Sequence, residues 1–416
     1  MTSLRTIIQS AYGSLADNTV MSAITDPYRL DTPANHRDAS WLANAWQKIR
    51  IKQIHCRGLH YGLVSLPDLR KPNGERYQNT DDDWTWLQKV SNHARWLGHI
   101  EFEAILDERN SGPEIWLPPS YEREGIQINH NADWLDNTPS MPRISIDCQA
   151  PHARQAFRLV LIGEKSSLRH VLQPICQRYE AELILPTGEL STTLLHGIVK
   201  RAAEDGRPCR VFYLSDFDPS GVHMPVEVSR KMQALVDLKF DGLDIELHRC
   251  ALLSEQVTVL NLPETPMKAS EKRADRWRLR YGCEQTEIDA LSTLQPGKLA
   301  EIVDHDLQPY FDATLQKRQR QAYASAAQEM RSQIDSAMEP FEAELEEAQS
   351  LIDAAAEELA AAHEFAMPLF DQITESIDYT EPEEMEPEYA DMFRTPLFSS
   401  LDDFEATTAN LREEKL

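Results

Sequence analysis

Between Phe157 and Leu253, apolar and amphipathic runs alternate at a spacing that leaves few folds open. FRLVLIG reads as a buried strand, SSLRHVLQPICQRYE as a helix, AELILP as a strand and TTLLHGIVKRAAEDG as a helix stopped by glycine. CRVFYLSD and IELHRCALL read as two further strands, with GVHMPVEVSRKMQALV as a helix between them. Strands joined by helices of this length run parallel, and the functional side chains of such a sheet gather beyond the carboxyl ends of its strands. The expected fold class is α/β.

The rest of the chain divides around this block. Residues 1–37 carry scattered proline, aspartate and asparagine and read as a loosely structured lead-in. From Asp38, DASWLANAWQKIR spaces Trp41, Leu42, Ala45, Trp46 and Ile49 as a helical stripe behind an aspartate cap. HCRGLHYGLVS reads as a second, short helix. DDDWTWLQKVSNHARWLG reads as a third, with acids in its first turn and Gly98 at its end. LPDLRKPNGERYQNT between the last two is a wing-like loop, and IEFEAILD reads as a strand. This order predicts a winged-helix domain over 38–150. The irregular stretch 110–157, with Pro118 next to Pro119, holds a small hairpin and the connection to an α/β domain over 151–316. PETPMKASEKRADRWRL, residues 263–279, reads as a mixed-charge surface insertion. Residues 317–366 read as a long helix or helical pair broken at Pro340, and 367–416 as an acidic tail, disordered or bound to a partner.

The formal charge of −26 argues against a nucleic-acid partner until it is divided along the chain. Residues 332–416 hold 24 acidic and 3 basic side chains, and the remainder holds 44 and 39, so the body is close to neutral. A content of 41% hydrophobic and 26% charged residues excludes a wholly disordered or collagen-like chain. No apolar run reaches the ~20 residues of a membrane span, and the opening lacks an apolar signal-peptide core. The expectation is a cytoplasmic protein without membrane contact. Six cysteines without a CxxC pair, and histidines without ligand spacing, argue against a zinc site.

Glu164 directly follows FRLVLIG, and Asp216 and Asp218 follow VFYLS. If those strands are neighbours, three carboxylates converge, and a hard divalent cation, best magnesium, relieves their repulsion. Pro219 and Gly221 in DFDPSG bend the chain beneath them. The competing reading of SDFDPSG is a helix-leading turn with solvated acids, since aspartate is favoured there in any case.

GEK at Gly163 to Lys165, the Gly188 turn in LPTGELS and DFDPSG at Asp216 to Gly221 together resemble the glutamate, central glycine turn and DxD of a Toprim domain. The DxDPxG form resembles the A subunit of type IIB topoisomerases (topoisomerase VI) and its meiotic double-strand-break relative. The resemblance covers residues 40–110 and 155–310. In that family a winged-helix domain carries a catalytic tyrosine in a motif of the form RDxYY or RDIFY. The matching stretch is Arg57, Gly58, Leu59, His60, Tyr61, with Gly58 where the family has an acid and His60 where it has an aromatic. On a helix, positions i and i+4 share a face, which sets Arg57 to hold a phosphate beside the Tyr61 phenol.

The resemblance implies magnesium-dependent transesterification on double-stranded DNA. Tyr61 would be the nucleophile, Arg57 a phosphate donor, and Glu164, Asp216 and Asp218 the Mg2+ ligands, contributed by the other subunit of a homodimer. Glu164 would double as general acid for the leaving 3′ oxygen, and the product would be DNA with a 5′ phosphotyrosyl link. GEKSS lacks the spacing of a phosphate loop and no ATPase motif is present, so an ATPase or other partner subunit would supply strand passage. Two alternatives stand beside this one. One is a Toprim nuclease that hydrolyses DNA with water, as in plasmid and phage defence systems of the Wadjet type. The other is a non-catalytic DNA-binding scaffold with the same fold. KASEKRADRWRLR, with six basic residues and a tryptophan in thirteen, suits a DNA backbone or a solvated helical face. EIDAL at Glu287 to Leu291 resembles a motif that follows the Toprim core in relatives, with Asp289 as a further acidic neighbour.

Overall fold

In a computed structural model of the chain, the four apolar runs form the centre of a six-stranded sheet. The structure describes residues 4, 6, 8, 19–49, 51–106, 114–119, 125–131, 134–135, 138–139, 143–186, 189–354, 359–378, 385, 387 and 396–415. Two compact units emerge: Met1–Pro118, Phe157–Tyr310 and Ala390–Leu416 in the first, and Pro119–Ala156 with Phe311–Tyr389 in the second.

In the first unit, α1 (Pro33–Ile49), α2 (Cys56–Val64) and α3 (Asp81–Trp96) pack around Leu42, Ala45, Leu59, Leu63, Leu87 and Val90. Helix α1 starts five residues before the expected Asp38 cap. Pro33 sits in its first turn, where a missing N–H costs nothing, and the Thr32 hydroxyl accepts from the Asn35 N–H. The wing-like loop carries one antiparallel bridge, Arg70 with Arg76, closed by the Lys71 ammonium on Glu75 and Asp83. The strand expected in IEFEAILD shrinks among the described residues to Ile105–Leu106, parallel to Ile54–His55. A 3-10 turn, Phe102–Ala104, takes up the residues before it.

The lead-in is irregular but not loose. Val20, Met21, Tyr28 and Leu30 are buried in the main core, and Asp26 makes a fully buried ion pair with Arg230 at 3.1 Å. Either partner left alone would be an unpaired charge in a dry interior, so this pair ties the segment's placement to that of the helix carrying Arg230.

The sheet comprises β1 (Glu114–Trp116), β2 (Arg158–Gly163), β3 (Glu182–Leu185), β4 (Cys209–Leu214), β5 (Ile245–Ala251) and β6 (Phe398–Ser399), in the order β6-β5-β4-β2-β3-β1. Its four central strands are parallel and its two outer strands antiparallel. Every residue of β3 and β4 is buried, which is why those runs show no polar alternation. Helices α4 (Arg169–Tyr179), α5 (Thr192–Asp205) and α6 (His223–Lys239) make the crossovers. Strand β2 has β3 on one side and β4 on the other, so the winding reverses there, at the place where open α/β sheets collect ligands.

The expected acidic tail over 367–416 requires correction. Strand β6 pairs with β5 through Leu247 opposite Phe398, and helix α9 (Phe404–Lys415) buries Leu411 in the main core. Leu397, Phe398 and Leu411 are buried, and Phe404 packs against the core beside them, in a segment whose composition is otherwise polar. EPEEMEPEYA lies outside the described residues except for Met385 and Pro387.

In the second unit an antiparallel pair, Ile126–Asn131 with Arg143–Cys148, supplies the expected hairpin region. Tyr323 and Met330 of the helix Leu315–Met338 pack with Ile126, Ile128 and Ile146. The break expected at Pro340 is a 3-10 turn, Glu339–Phe341, followed by the helices Glu342–Ala354 and Leu359–Ser376. No helix among the described residues is long and apolar enough to cross a membrane.

Candidate active site

Strands β2 and β4 run in register from Arg158 opposite Cys209 to Gly163 opposite Leu214. Because they end together, the residues that follow emerge on one rim. The Glu164 N–H donates to the Leu214 carbonyl at 2.9 Å, and the Asp216 N–H donates to Glu164 Oε2 at 2.9 Å. Asp218 Oδ1 accepts from the Ser220 N–H at 2.9 Å and the Gly221 N–H at 2.6 Å, closing the turn that leads into α6. A Cβ on Gly221 would collide with the Asp216 carbonyl, lying 2.9 Å from its carbon, so the turn needs glycine there. The turn reading of SDFDPSG holds in part. Asp218 is a turn-closing acid, while Asp216, only 8% exposed, is not a solvated one.

Asp216 is held on both oxygens. Oδ1 accepts from the Ile288 N–H at 2.8 Å, and Oδ2 faces the Lys165 ammonium at 2.9 Å. Lys165 also reaches Asp289 at 3.1 Å and Glu287 at 3.4 Å, and the Ser167 hydroxyl donates to Asp289 at 2.5 Å. Ile288 and Asp289 open the helix α8 (Ile288–Leu294), so EIDAL is joined to the site through Lys165 and Asp216. The segment expected as a surface insertion forms part of the surroundings. In α7 (Ala274–Tyr281), Trp277 is buried, and its ring and that of Tyr281 lie 4.7 and 5.0 Å from Phe217. Arg273, just before α7, donates to the Pro219 carbonyl and the Ser220 hydroxyl, each at 2.9 Å.

Burial pushes the Glu164 carboxyl above the usual glutamate range; the Asp216 N–H opposes this, and the charges of Asp216 and Asp218 add to it. Burial also raises Asp216, against the pull of the Ile288 N–H and Lys165 and with the push of Asp218. Burial alone would lower Lys165, but Asp216 and Asp289 reverse that and raise it. Burial alone would raise Asp289, yet the Ser167 hydroxyl and Lys165 bring it below the usual range. Negative charge is thus in excess around Glu164 and balanced around Asp289.

Among the described residues, no group of three His, Cys, Asp or Glu side chains is arranged to hold a metal ion. Both oxygens of Asp216 are already taken, by the Ile288 N–H and the Lys165 ammonium. Glu164 Oε1 and Asp218 Oδ2, by contrast, accept no hydrogen bond among the described residues. Carboxylate oxygens of this kind are donors that a hard divalent cation takes, with water and substrate phosphate completing its shell.

Tyr61 and Arg57 are both exposed on α2, Tyr61 by 52%, and the Tyr61 hydroxyl has no hydrogen-bond partner among the described residues. The Arg57 guanidinium lies 5.2 Å from the centre of the Trp84 ring. The two departures from the family motif have packing explanations. A Cβ on Gly58 would come within 3.0 Å of Ile54 Cγ1, and buried His60 is fixed by the Tyr77 hydroxyl at 2.6 Å and Asn79 Oδ1 at 3.0 Å. Glu164, Asp216 and Asp218 are brought together, joined by Lys165, Ser167 and Asp289. No contact between these and Tyr61 or Arg57 occurs among the described residues, and Gly188 lies outside them. The roles of Lys165, Ser167 and Arg273 escaped sequence reasoning; the adjacency of Lys165 to Glu164 was the one available signal. No protein-family model matches the sequence, and a comparison with curated proteins finds no match.

Proposed function

We propose that the chain is a DNA-cleaving subunit of the topoisomerase VI A kind, combining a winged-helix module with a Toprim domain and acting as a homodimer with a further partner subunit. The single observation that carries this reading is the meeting of Glu164 and the Asp216–Asp218 turn at the ends of β2 and β4, fixed by the 2.9 Å bond from the Asp216 N–H to Glu164. Glu164 and Asp218 would hold magnesium, which supplies positive charge to a scissile phosphate when bound. Asp216 and Lys165 position the pair by anchoring the turn to Ile288 and Asp289.

The exposed Tyr61 phenol would attack phosphorus. The bond to the 3′ oxygen breaks, the phenolic proton passes to solvent, and the 3′ oxygen takes one up, leaving a 5′ phosphotyrosyl end. Arg57, one helical turn away, would donate to the phosphate. A second reading, hydrolysis by water, draws support from the Tyr61 hydroxyl, which has no base bonded to it among the described residues.

Supercoiled plasmid incubated with the protein and magnesium distinguishes these. Transesterification gives nicked or linear DNA covalently attached to protein, lost in Tyr61→Phe and in Glu164→Gln. Cleavage that survives Tyr61→Phe and is lost in Glu164→Gln selects hydrolysis. Absence of cleavage, or cleavage indifferent to Glu164→Gln, overturns the enzymatic reading.

A further inference from the structure

Beside the acidic site, a cleft of about 260 Å³ is lined by residues of α7, the Pro219 turn and the end of α9. Arg273, Arg276 and Arg280 are spaced three and four residues apart, which puts them on one helical face, and Lys415 adds a fourth cation. Their partners are unequal. Arg273 is paired with Glu271 at 2.8 Å, whereas Arg276, Arg280 and Lys415 form no ion pair among the described residues. The acid that lines the cleft, Glu414, is already engaged by Arg249 at 2.6 Å. In a chain of formal charge −26, exposed Arg276 and Arg280 on one wall of the cleft, without an ion pair among the described residues and with Lys415 also lining it, mark a site for an anion from outside.

The shape and surroundings narrow the anion. The volume is below the roughly 300–1,000 Å³ of pockets that enclose a whole small-molecule ligand, which favours one segment of a longer chain. Guanidinium forks suit phosphate oxygens, and the partly exposed Tyr281 ring in the same wall offers apolar surface beside them. Arg273 ties the cleft to the acidic turn through the Pro219 carbonyl and the Ser220 hydroxyl, two residues from Asp218. We propose that this cleft binds the phosphodiester backbone of a DNA strand and leads it past Glu164 and Asp218. The inference deepens the DNA-cleaving reading and rests on it.

The test uses the intact protein and fluorescence anisotropy of a labelled DNA duplex over a range of salt. Arg276→Glu/Arg280→Glu, two exposed positions, is expected to weaken binding about tenfold or more and to reduce the salt slope by about two, near 0.9 for each phosphate no longer neutralised. Lys415→Glu, on a different element, should move both quantities in the same direction. A charge-matched control, Arg278→Glu/Lys298→Glu, outside the cleft, should change affinity less than about twofold. Unchanged binding in the cleft variants overturns the cleft and leaves the cleavage reading standing, because plasmid cleavage is scored separately. A wild-type protein that binds thymidine monophosphate through these arginines but no duplex overturns both. Tighter binding of polyglutamate than of duplex through the same arginines reassigns the cleft to an acidic protein and overturns the proposal. Arginine-dependent duplex binding without magnesium-dependent cleavage upholds the cleft and removes the enzymatic reading.

Discussion

Glu164 is a carboxyl whose raised pKa has a thermodynamic sign. An acid raised in the folded state adds stability that is fully present below its unfolded pKa and is lost as pH rises through the folded value. At neutral pH the ionised Glu164 therefore opposes folding. Glu164→Gln, which keeps an oxygen to accept the Asp216 N–H, is expected to raise the melting temperature at pH 7. That gain should vanish as pH falls toward 4.5, the ordinary glutamate value. Thermal melts of both proteins across this range check it, and a gain that persists at low pH would show that charge is not the cause. Lys165 poses the converse case. Lys165→Met leaves the buried Asp216 without its cation, so the Asp216 pKa should rise further, measured by carbon-13 NMR titration. Glu164, Asp216 and Asp218 were legible because each follows an apolar run. Lys165 was not, because a lysine after a strand is ordinarily solvated. Its task here is set by Asp289, which lies far along the sequence.

At the scale of elements, the turn between β4 and α6 depends on Gly221, where any Cβ meets the Asp216 backbone. Gly221→Ala is expected to cost about 1–3 kcal/mol by urea denaturation and to reduce plasmid cleavage, since the turn aims Asp218. An unchanged midpoint would mean that the turn relaxes freely. The central strands were legible almost to the residue because full burial leaves an unbroken apolar run. Helix α7 was legible only as a candidate solvated face, because its arginines leave no apolar stripe. Trp277 is its only buried side chain, too little to impose an apolar stripe, and what holds it is the contact with Phe217, a residue of the motif it packs against. The start of α1 was misplaced for a different reason: proline reads as a breaker, although the first turn tolerates it.

At the scale of the molecule, the end of the expected acidic tail is part of the fold. Residues 396–415, counted among the acidic tail by composition, complete the sheet and its core. Phe398→Ala, at a fully buried position, should cost about 3–5 kcal/mol, read as a lower urea midpoint for the first unit. A surface tail would give no shift. Composition could not reveal this, because a few anchoring side chains in a polar stretch leave no period to detect, and their partner strand lies about 150 residues earlier.

The first unit is built from three separated stretches of sequence, the last of which supplies β6. A nascent chain still on the ribosome can therefore assemble β2 to β5 while the flank of β5 stays bare. Until Phe398 and Leu411 have cleared the exit tunnel, that flank is an open template for another polypeptide. Translation stalled before that point would leave a product prone to association, with the Glu164 rim built on an unfinished sheet.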